Sequence, residues 1–165
     1  KLSARYGADQ VCTVGKVDVF PNLINVVAAR VTMTLDIRNT DEALLQRAEK
    51  EVASFLDEIA ALEGVKITTK KLARFEPVVF DDRVIDVIEQ ISLNLENTTQ
   101  RMPSGAGHDA QMLARVCPAA MIFVPSVNGI SHNAAEHTDT EDLVAGANIL
   151  LQSMLTLCTT DFEKV

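Results

Sequence analysis

All three histidines of this chain, His108, His132 and His137, lie in one polar stretch of its second half. His108 follows the glycine-rich sequence Ser104-Gly-Ala-Gly, and His132 follows Gly129-Ile-Ser. Imidazole is the side chain best suited to bind a metal or transfer a proton near neutral pH. A glycine beside a histidine lets the backbone approach a ligand closely, because no Cβ is in the way. We therefore expect the chemistry of this chain in this stretch.

The pattern around the histidines leaves two interpretations open for each. His132 is either a metal or substrate contact placed just past a strand end, where open α/β sheets form their sites, or a histidine of an exposed loop. One histidine does not make a zinc site, since zinc takes three or four protein ligands. The glycine-rich turn before His108 either presents amides to an anion or only makes a tight strand-to-helix turn. It lacks the lysine of a phosphate-binding P-loop.

Other polar residues flank these elements. Asn25 and Arg38 lie on either side of the segment from Val26 to Ile37, which is predicted to be a strand. An arginine at a strand end can bind a carboxylate through two hydrogen bonds, and an amide can orient the same ligand. The alternative is a surface arginine and a turn asparagine. Glu136 and His137 read as a solvated pair near a helix start, and Glu136 can also brace His132.

Composition limits the classes of protein to be considered. The 165 residues suffice for one ordinary domain or two small ones. A formal charge of −8 argues against nucleic acid as a partner. No uninterrupted apolar run approaches the ~20 residues that span a bilayer, so no membrane partner is expected. The three cysteines form no CxxC pattern and favour a reducing cytoplasm. The first residue is not Met, which fits a fragment or a removed tag.

Hydrophobic periodicity predicts a small α+β region first. Val11 to Phe20 and Val26 to Ile37 alternate as strands, and the second is expected to be buried on one face. A helix capped by Asn39 or Asp41 should end at Gly64. Val65 to Phe75 then alternates as a third strand. This order is most of a ferredoxin-like unit that lacks its first strand and nearly all of its first helix.

A change of pattern at Glu76-Pro77 marks the predicted domain boundary. Beyond it, helices are predicted over Asp81 to Leu95 and His108 to Val116, and a strand buried on both faces over Ala119 to Val124. A capping box at Thr138 should start a last helix. The buried stripe predicted for that helix consists of Leu143, Ala147, Leu150 or Leu151, and Met154. Alternation of helix and buried strand indicates an α/β sheet.

Together these segments resemble the C-terminal part of the N-carbamoyl-L-amino-acid hydrolases, relatives of allantoate amidohydrolase and β-ureidopropionase in the di-metal aminoacylase and carboxypeptidase superfamily. The resemblance covers essentially the whole chain, and its last three motifs, in that order, are specific for this branch. The motifs that carry it are Thr13-Val-Gly-Lys-Val, Pro21-Asn-x-x-Asn25-Val, Leu35-Asp-Ile-Arg38, Ser104-Gly-Ala-Gly-His-Asp-Ala110, Met121-Ile-Phe-Val-Pro-Ser126 and Gly129-Ile-Ser-His132.

The resemblance implies an α/β fold with an α+β lid. Residues 1–76 would be an incomplete ferredoxin-like lid that also forms a homodimer, and residues 77–165 the C-terminal part of the catalytic domain. The resemblance also implies that the chain is incomplete. The family's HxD motif, its bridging aspartate and its paired glutamates, one of which is the general base, have no counterpart in this sequence.

The resemblance assigns roles to individual residues. His132 matches the last metal ligand, and His108 matches the catalytic histidine that contacts substrate near the scissile amide. Relatives usually carry Pro-Gly where this chain has Ala28-Ala29, which alters the turn beside Asn25. The positions that match substrate-binding residues are Ser104, Gly105 and Gly107 around that pocket, and Asn25 and Arg38 at the amino-acid carboxylate.

The implied activity is metal-dependent hydrolysis of the carbamoyl C–N bond of small-molecule N-carbamoyl-L-amino acids in the cytoplasm. Two divalent ions (zinc, manganese, cobalt or nickel) would activate water and polarise the carbonyl. The chain by itself is expected to be inactive, because it has one of the metal ligands and no general base. Two alternatives remain: a non-catalytic dimerisation module, and an allantoate amidohydrolase or aminoacylase-type peptidase of the same superfamily.

Overall fold

The computed structural model describes residues 2–7 and 9–159. Its chain divides into two units. The first unit is Lys1–Pro77 with Pro103–Gly107, and the second is Val78–Met102 with His108–Val165. The sequence placed a boundary at Glu76-Pro77. The assignment of the parts on either side to a lid and a catalytic domain stays a prediction.

An antiparallel hairpin organises the first unit. Strand β1 (Val11–Phe20) pairs with β2 (Arg30–Arg38), so that the start of β1 lies beside the end of β2. The register shifts between Thr13 and Lys16, which leaves two residues of β1 opposite one of β2, a β-bulge. The first predicted strand is confirmed. The second begins four residues later than expected, because the residues before it form the connection between the strands. A hydrogen bond from Ala29 N to Phe20 O, 2.8 Å long, closes this connection.

Helix α2 (Glu42–Glu63) follows the hairpin, as predicted. Of the two proposed caps, Asp41 is the one used: its Oδ1 accepts from Leu44 N at 2.9 Å. Gly64 ends the helix with a φ of 65°, in the left-handed region that glycine enters at low cost. The short helix α1 (Leu2–Tyr6) is held to α2 by Tyr6, whose hydroxyl donates to Glu51 Oε1 at 2.6 Å.

The predicted strand over Val65 to Phe75 is wrong, because the structure forms no strand ladder along this segment. A strand needs a neighbour to accept and donate its backbone hydrogen bonds, and alternation in sequence does not supply one. Ion pairs attach the segment to α2 instead. Arg74 Nη2 lies 2.6 Å from Glu42 Oε1, and Arg74 Nε lies 3.0 Å from Glu49 Oε1.

The hairpin is also more exposed than its alternation predicts. The face predicted to be buried consists of Val31, Met33, Leu35 and Ile37. The first three are 48%, 58% and 42% exposed, and Ile37 is half-buried. Every residue of β1 is exposed as well. Helix α2 buries Leu45 and Ala48. The described part of the chain therefore leaves most of this two-stranded sheet exposed.

The second unit is helical. It contains α3 (Asp82–Asn94), the short α4 (Asp109–Leu113), a single 3₁₀ turn (Val127–Gly129) and α5 (Thr140–Thr159). Helix α3 is confirmed, with Asp81 as its cap: Asp81 Oδ1 accepts from Arg83 N at 2.9 Å. Helix α4 is shorter than predicted, and α5 starts two residues after the predicted Thr138. Helices α3 and α5 pack on each other.

Two predictions for this unit are wrong. The structure forms no strand over Ala119 to Val124. The buried residues of α5 are Ile149 and Ser153, while Leu143, Leu150 and Met154 of the predicted stripe are more than half exposed. Both errors have one cause: the apolar pattern anticipates a sheet, and the described residues of this unit form none. By length and composition alone α5 could cross a membrane, a weak criterion that core helices of soluble proteins also meet.

Close packing on α5 leads to a stability prediction. A Cβ at Gly146 would lie 2.4 Å from Cγ1 of Val124, a short, branched side chain with little freedom to move away. We expect Gly146→Ala to lower the free energy of unfolding by about 1 kcal/mol, since overpacking of about 2 kcal/mol exceeds the helix-propensity gain of about 1 kcal/mol. Urea denaturation measures the change.

Asn148→Ala, at an exposed position of the same helix, is the control and should be neutral or slightly stabilising. Adding Val124→Ala to Gly146→Ala should recover part of the loss. A Gly146→Ala chain as stable as the wild type would mean that Val124 moves aside freely.

Candidate functional site

Arg38 is the last residue of β2, and a buried polar pair fixes the backbone there. Gln10 Nε2 donates to the main-chain oxygen of Arg38 at 2.9 Å, and Asn39 Nδ2 donates to Gln10 Oε1 at 3.0 Å. Gln10 and Asn39 are both buried. Buried amides of this kind are costly unless paired, so the contact determines where the strand ends and where the Arg38 side chain begins. Nothing in the sequence pattern marks this pair.

The Arg38 guanidinium is bound on two sides. Its Nε donates to Asp36 Oδ1 at 3.0 Å and its Nη2 donates to Asp36 Oδ2 at 2.6 Å. Its Nη1 donates to the main-chain oxygen of Gly105 at 3.0 Å. The hydrogen bond from Arg38 holds the pKa of the Asp36 carboxyl below its ordinary value, and the same bond raises the pKa of Arg38. Both groups are therefore charged at neutral pH.

The turn before His108 thus meets the strand end within the first unit. Ser104 is half-buried, and its Oγ accepts from Ala106 N at 3.2 Å. Neither Gly105 nor Gly107 has a φ in the left-handed region, and a Cβ on either would meet no heavy atom within 4 Å. The turn does not need these glycines for its own conformation. They leave open space beside the backbone.

His108 lies at the start of the second unit, exposed, as the N-cap of α4. Its Nδ1 accepts from Ala110 N at 3.0 Å. A nitrogen that accepts a hydrogen bond carries no proton, so the neutral ring carries its proton on Nε2. The cap therefore orients the ring and gives it an N–H donor on the side away from the backbone. The predicted catalytic role of His108 remains a prediction.

His132 lies in a loop closed by the bond from Val127 N to the main-chain oxygen of His137 at 2.8 Å. Its side chain is exposed, and its φ of 55° is uncommon for a residue with a Cβ. Glu136 Oε2 accepts from the main-chain N of His132 at 2.9 Å. The contact between Glu136 and His132, one of the two interpretations for Glu136, is thus made to the backbone. His137 Nε2 lies 3.6 Å from Asp139 Oδ1 and is exposed like it.

The residues that the structure describes do not complete a metal site. Within residues 2–7 and 9–159 no three side chains of His, Cys, Asp or Glu come together as a cation would require. His132 offers one imidazole nitrogen, and zinc requires three or four protein ligands. The donor set fits a single arm of a metal centre, and the assignment of His132 as a ligand stays a prediction.

Asn25 and Arg38 are not brought together. Asn25 is exposed in the connection between the strands, whereas Arg38 pairs with Val11 at the opposite end of the hairpin. With a rise of about 3.3 Å per residue, the length of β2 separates them by roughly 25 Å. One chain therefore cannot apply both side chains to one carboxylate, and each role remains a separate prediction.

The whole chain was compared with known proteins. The model of the peptidase family M20/M25/M40 matches residues 5–156. Allantoate amidohydrolase of Escherichia coli (strain K12) is 38% identical over 150 residues, which are 88% of this chain and 36% of that protein. The N-carbamoyl-L-amino acid amidohydrolase of Geobacillus stearothermophilus is 36% identical over 151 residues, 92% of this chain and 37% of that protein.

A solved structure agrees. An amidase of the hydantoinase/carbamoylase family from Burkholderia vietnamiensis superposes with a TM-score of 0.89 at 34% identity, over 94% of this chain and 38% of that one. The chain is thus part of an α/β hydrolase fold, with helices and one small sheet. The chain belongs to the peptidase family M20/M25/M40, in the branch of the amidohydrolases that its motifs resemble. It spans little more than a third of each of these relatives' length.

Proposed function

We propose that this chain is the C-terminal part of a metal-dependent amidohydrolase that hydrolyses N-carbamoyl-L-amino acids to amino acid, carbon dioxide and ammonia. The observation that carries the proposal is the guanidinium of Arg38, ordered at a strand end beside the glycine-rich turn and still partly exposed. The names of the relatives place amide hydrolysis in this branch of the family.

The proposed roles follow from the chemistry of each group. Arg38 binds the substrate carboxylate, which does not react. The binding energy gained there orients the substrate. His108 presents Nε2–H toward the carbonyl oxygen of the scissile amide, where negative charge develops in the transition state. Gly105 and Gly107 leave room for the substrate beside the turn. Asn25 lies too far along the hairpin from Arg38 to share this carboxylate, and its substrate-binding role is a separate proposal.

The proposal places most of the metal centre outside this chain. When bound, two divalent ions supply an activated water and polarise the carbonyl. His132 is the one ligand proposed here. The remaining ligands and the general base would come from the part of the family fold that these residues do not cover. Zinc, manganese, cobalt and nickel are all suitable.

Dimerisation and compartment belong to the same proposal. Within the described residues most of the hairpin is exposed and its two strands pair only with each other, and an unpaired strand edge is a template for pairing with another chain. We propose a homodimer through the first unit. The free, exposed Cys12, Cys117 and Cys158 suit a reducing cytoplasm.

Turnover assays on two forms of the protein test the proposal. The complete protein and the 165-residue chain are each incubated with zinc or manganese and N-carbamoyl-L-amino acids, and ammonia is measured. We expect metal-dependent release from the complete protein, abolished by a chelator, and none from the 165-residue chain. Activity of the short chain, or chelator-resistant activity of the long one, would refute the proposal.

Two alternatives have support of their own. Two relatives are named allantoate amidohydrolase, at 35% and 38% identity, so allantoate belongs in the substrate panel together with β-ureidopropionate and N-acyl amino acids. The uncovered hairpin also fits a non-catalytic dimerisation module. A chain that elutes as a monomer at all concentrations in size-exclusion chromatography would argue against that module.

A further inference from the structure

We infer that Asp36 is a positioning residue: Asp36 and the main-chain oxygen of Gly105 together hold the Arg38 guanidinium with two N–H donors turned to a substrate carboxylate. The inference rests on the proposed function, because it refines the carboxylate site assigned there to Arg38. It adds a residue to which neither the motif pattern nor the resemblance gave a role.

Position on the strand creates the pair. Asp36 and Arg38 are two residues apart on β2, so their side chains leave the same face of the hairpin. The carboxylate accepts two bonds, from Nε and Nη2, along one edge of the guanidinium plane. Gly105 accepts from the third nitrogen, Nη1, and belongs to a segment 67 residues away in the chain. A planar group bound along one edge and at a further nitrogen loses most of its rotational freedom.

The remaining donors match a carboxylate in number. A guanidinium has five N–H groups. The bonds to Asp36 and Gly105 use one on each nitrogen. One N–H on Nη1 and one on Nη2 remain without a partner among the described residues. A carboxylate accepts two such bonds from adjacent nitrogens. Asp36 therefore fixes the guanidinium of Arg38 and leaves two of its N–H donors available to substrate.

Two effects oppose each other when Asp36 is removed. A negative charge near the substrate carboxylate disappears, which favours binding. Arg38 also regains rotamer freedom, which disfavours substrate binding. The side chains of Arg38 and Asp36 are 41% and 48% exposed, so solvent screens the charge effect strongly. Arginine has one of the largest side-chain entropies, and ordering it again on each binding event is the greater cost. The Michaelis constant should therefore rise.

The chain contains a matched control. On β1, Lys16 Nζ lies 2.8 Å from Asp18 Oδ2, again two residues apart on a strand and again exposed. That pair has the same charge and spacing, but its aspartate holds a lysine, not the arginine at the end of β2. Asp18→Ala thus reports the general effect of deleting a strand aspartate from the hairpin.

The kinetic test uses the complete protein, with a carbamoyl amino acid and its carboxamide analogue as substrates. We expect Asp36→Ala to raise KM for the carboxylate substrate about tenfold, with kcat changed less than twofold, and Asp36→Glu to restore part of the loss. For the carboxamide, kcat/KM should be unaffected. Asp18→Ala should change neither KM for the carboxylate substrate nor kcat/KM for the carboxamide. A KM that stays the same or falls in Asp36→Ala would show that Asp36 is neutral or competes with substrate.

A second test does not depend on turnover. In the 165-residue chain, the Nε–H resonance of Arg38 should be resolved and protected from exchange in NMR spectra. We expect Asp36→Ala to move it to the position of a free arginine, and Asp18→Ala to leave it in place. An unchanged signal in Asp36→Ala would overturn the positioning role. If the complete wild-type protein has no turnover, the proposed function fails on its own, and this spectrum still decides whether Asp36 orders Arg38.

Discussion

His132→Ala should reduce kcat/KM of the complete protein on the order of a thousandfold, the largest effect expected of any change in this chain. The reason is that metal catalysis contributes several kcal/mol, and each 1.4 kcal/mol is about a factor of ten in rate. The loop around His132 should survive the change, because its imidazole takes no part in the two bonds that close the loop. One runs from Val127 N to the main-chain oxygen of His137, and the other from His132 N to Glu136 Oε2.

Metal content gives a readout that is independent of activity. After dialysis against a weak chelator, the His132→Ala protein should retain fewer equivalents of zinc or manganese than the wild type, by elemental analysis. His137→Ala is the control, since His137 is exposed near Asp139 and has no ligand role in the proposal. Full metal retention in His132→Ala would remove this histidine from the metal centre.

Arg38→Ala should raise KM for N-carbamoyl-L-amino acids about a hundredfold and leave kcat within a few fold. Two charge-assisted hydrogen bonds to a carboxylate are lost, worth about 1.5 kcal/mol each after exchange with water. Arg38→Lys should recover little, since an ammonium cannot offer two parallel donors. Initial rates over a range of substrate concentrations separate KM from kcat.

Arg30→Ala is the matched control for Arg38. Arg30 begins the strand that Arg38 ends, and its guanidinium lies over the ring of Phe20, 5.4 Å from the centroid. Its removal should leave KM within twofold. Equal effects of the two substitutions would indicate damage to the hairpin as a whole, and an unchanged KM in Arg38→Ala would exclude Arg38 from substrate binding.

The elements predicted well from sequence are those that local chemistry determines. Helix α2 has an aspartate at its start and Gly64 at its end, and the structure uses both. Helix α3 begins after a capping aspartate in the same way. The segments around 65–75 and 119–124 were predicted wrongly, because a strand exists only with a pairing partner, and local sequence does not reveal that partner. The buried face of α5 was also predicted wrongly, since apolar residues occur on most sides of this helix and no single stripe stands out.

The site was predictable to the extent that single side chains reveal their chemistry. The type of Arg38 and its place at a strand end left a carboxylate-binding and a surface role open, and the resemblance assigned the first. Asp36 could have been found from the same motif, because residues two apart on a strand share a face. The contact to Gly105 could not, since nothing local connects segments 67 residues apart. The hairpin register also places Asn25 and Arg38 at opposite ends of the hairpin. Their positions on either side of one predicted strand did not reveal this separation.

The uncovered hairpin has a consequence for any host that makes this chain alone. Its strands expose valine, methionine and leucine side chains in quantity. Such surfaces are recognised by chaperones and proteases, and they drive precipitation at high protein levels. We expect the solitary polypeptide to accumulate in inclusion bodies at 37 °C and to remain in the supernatant when synthesis is slow and cold.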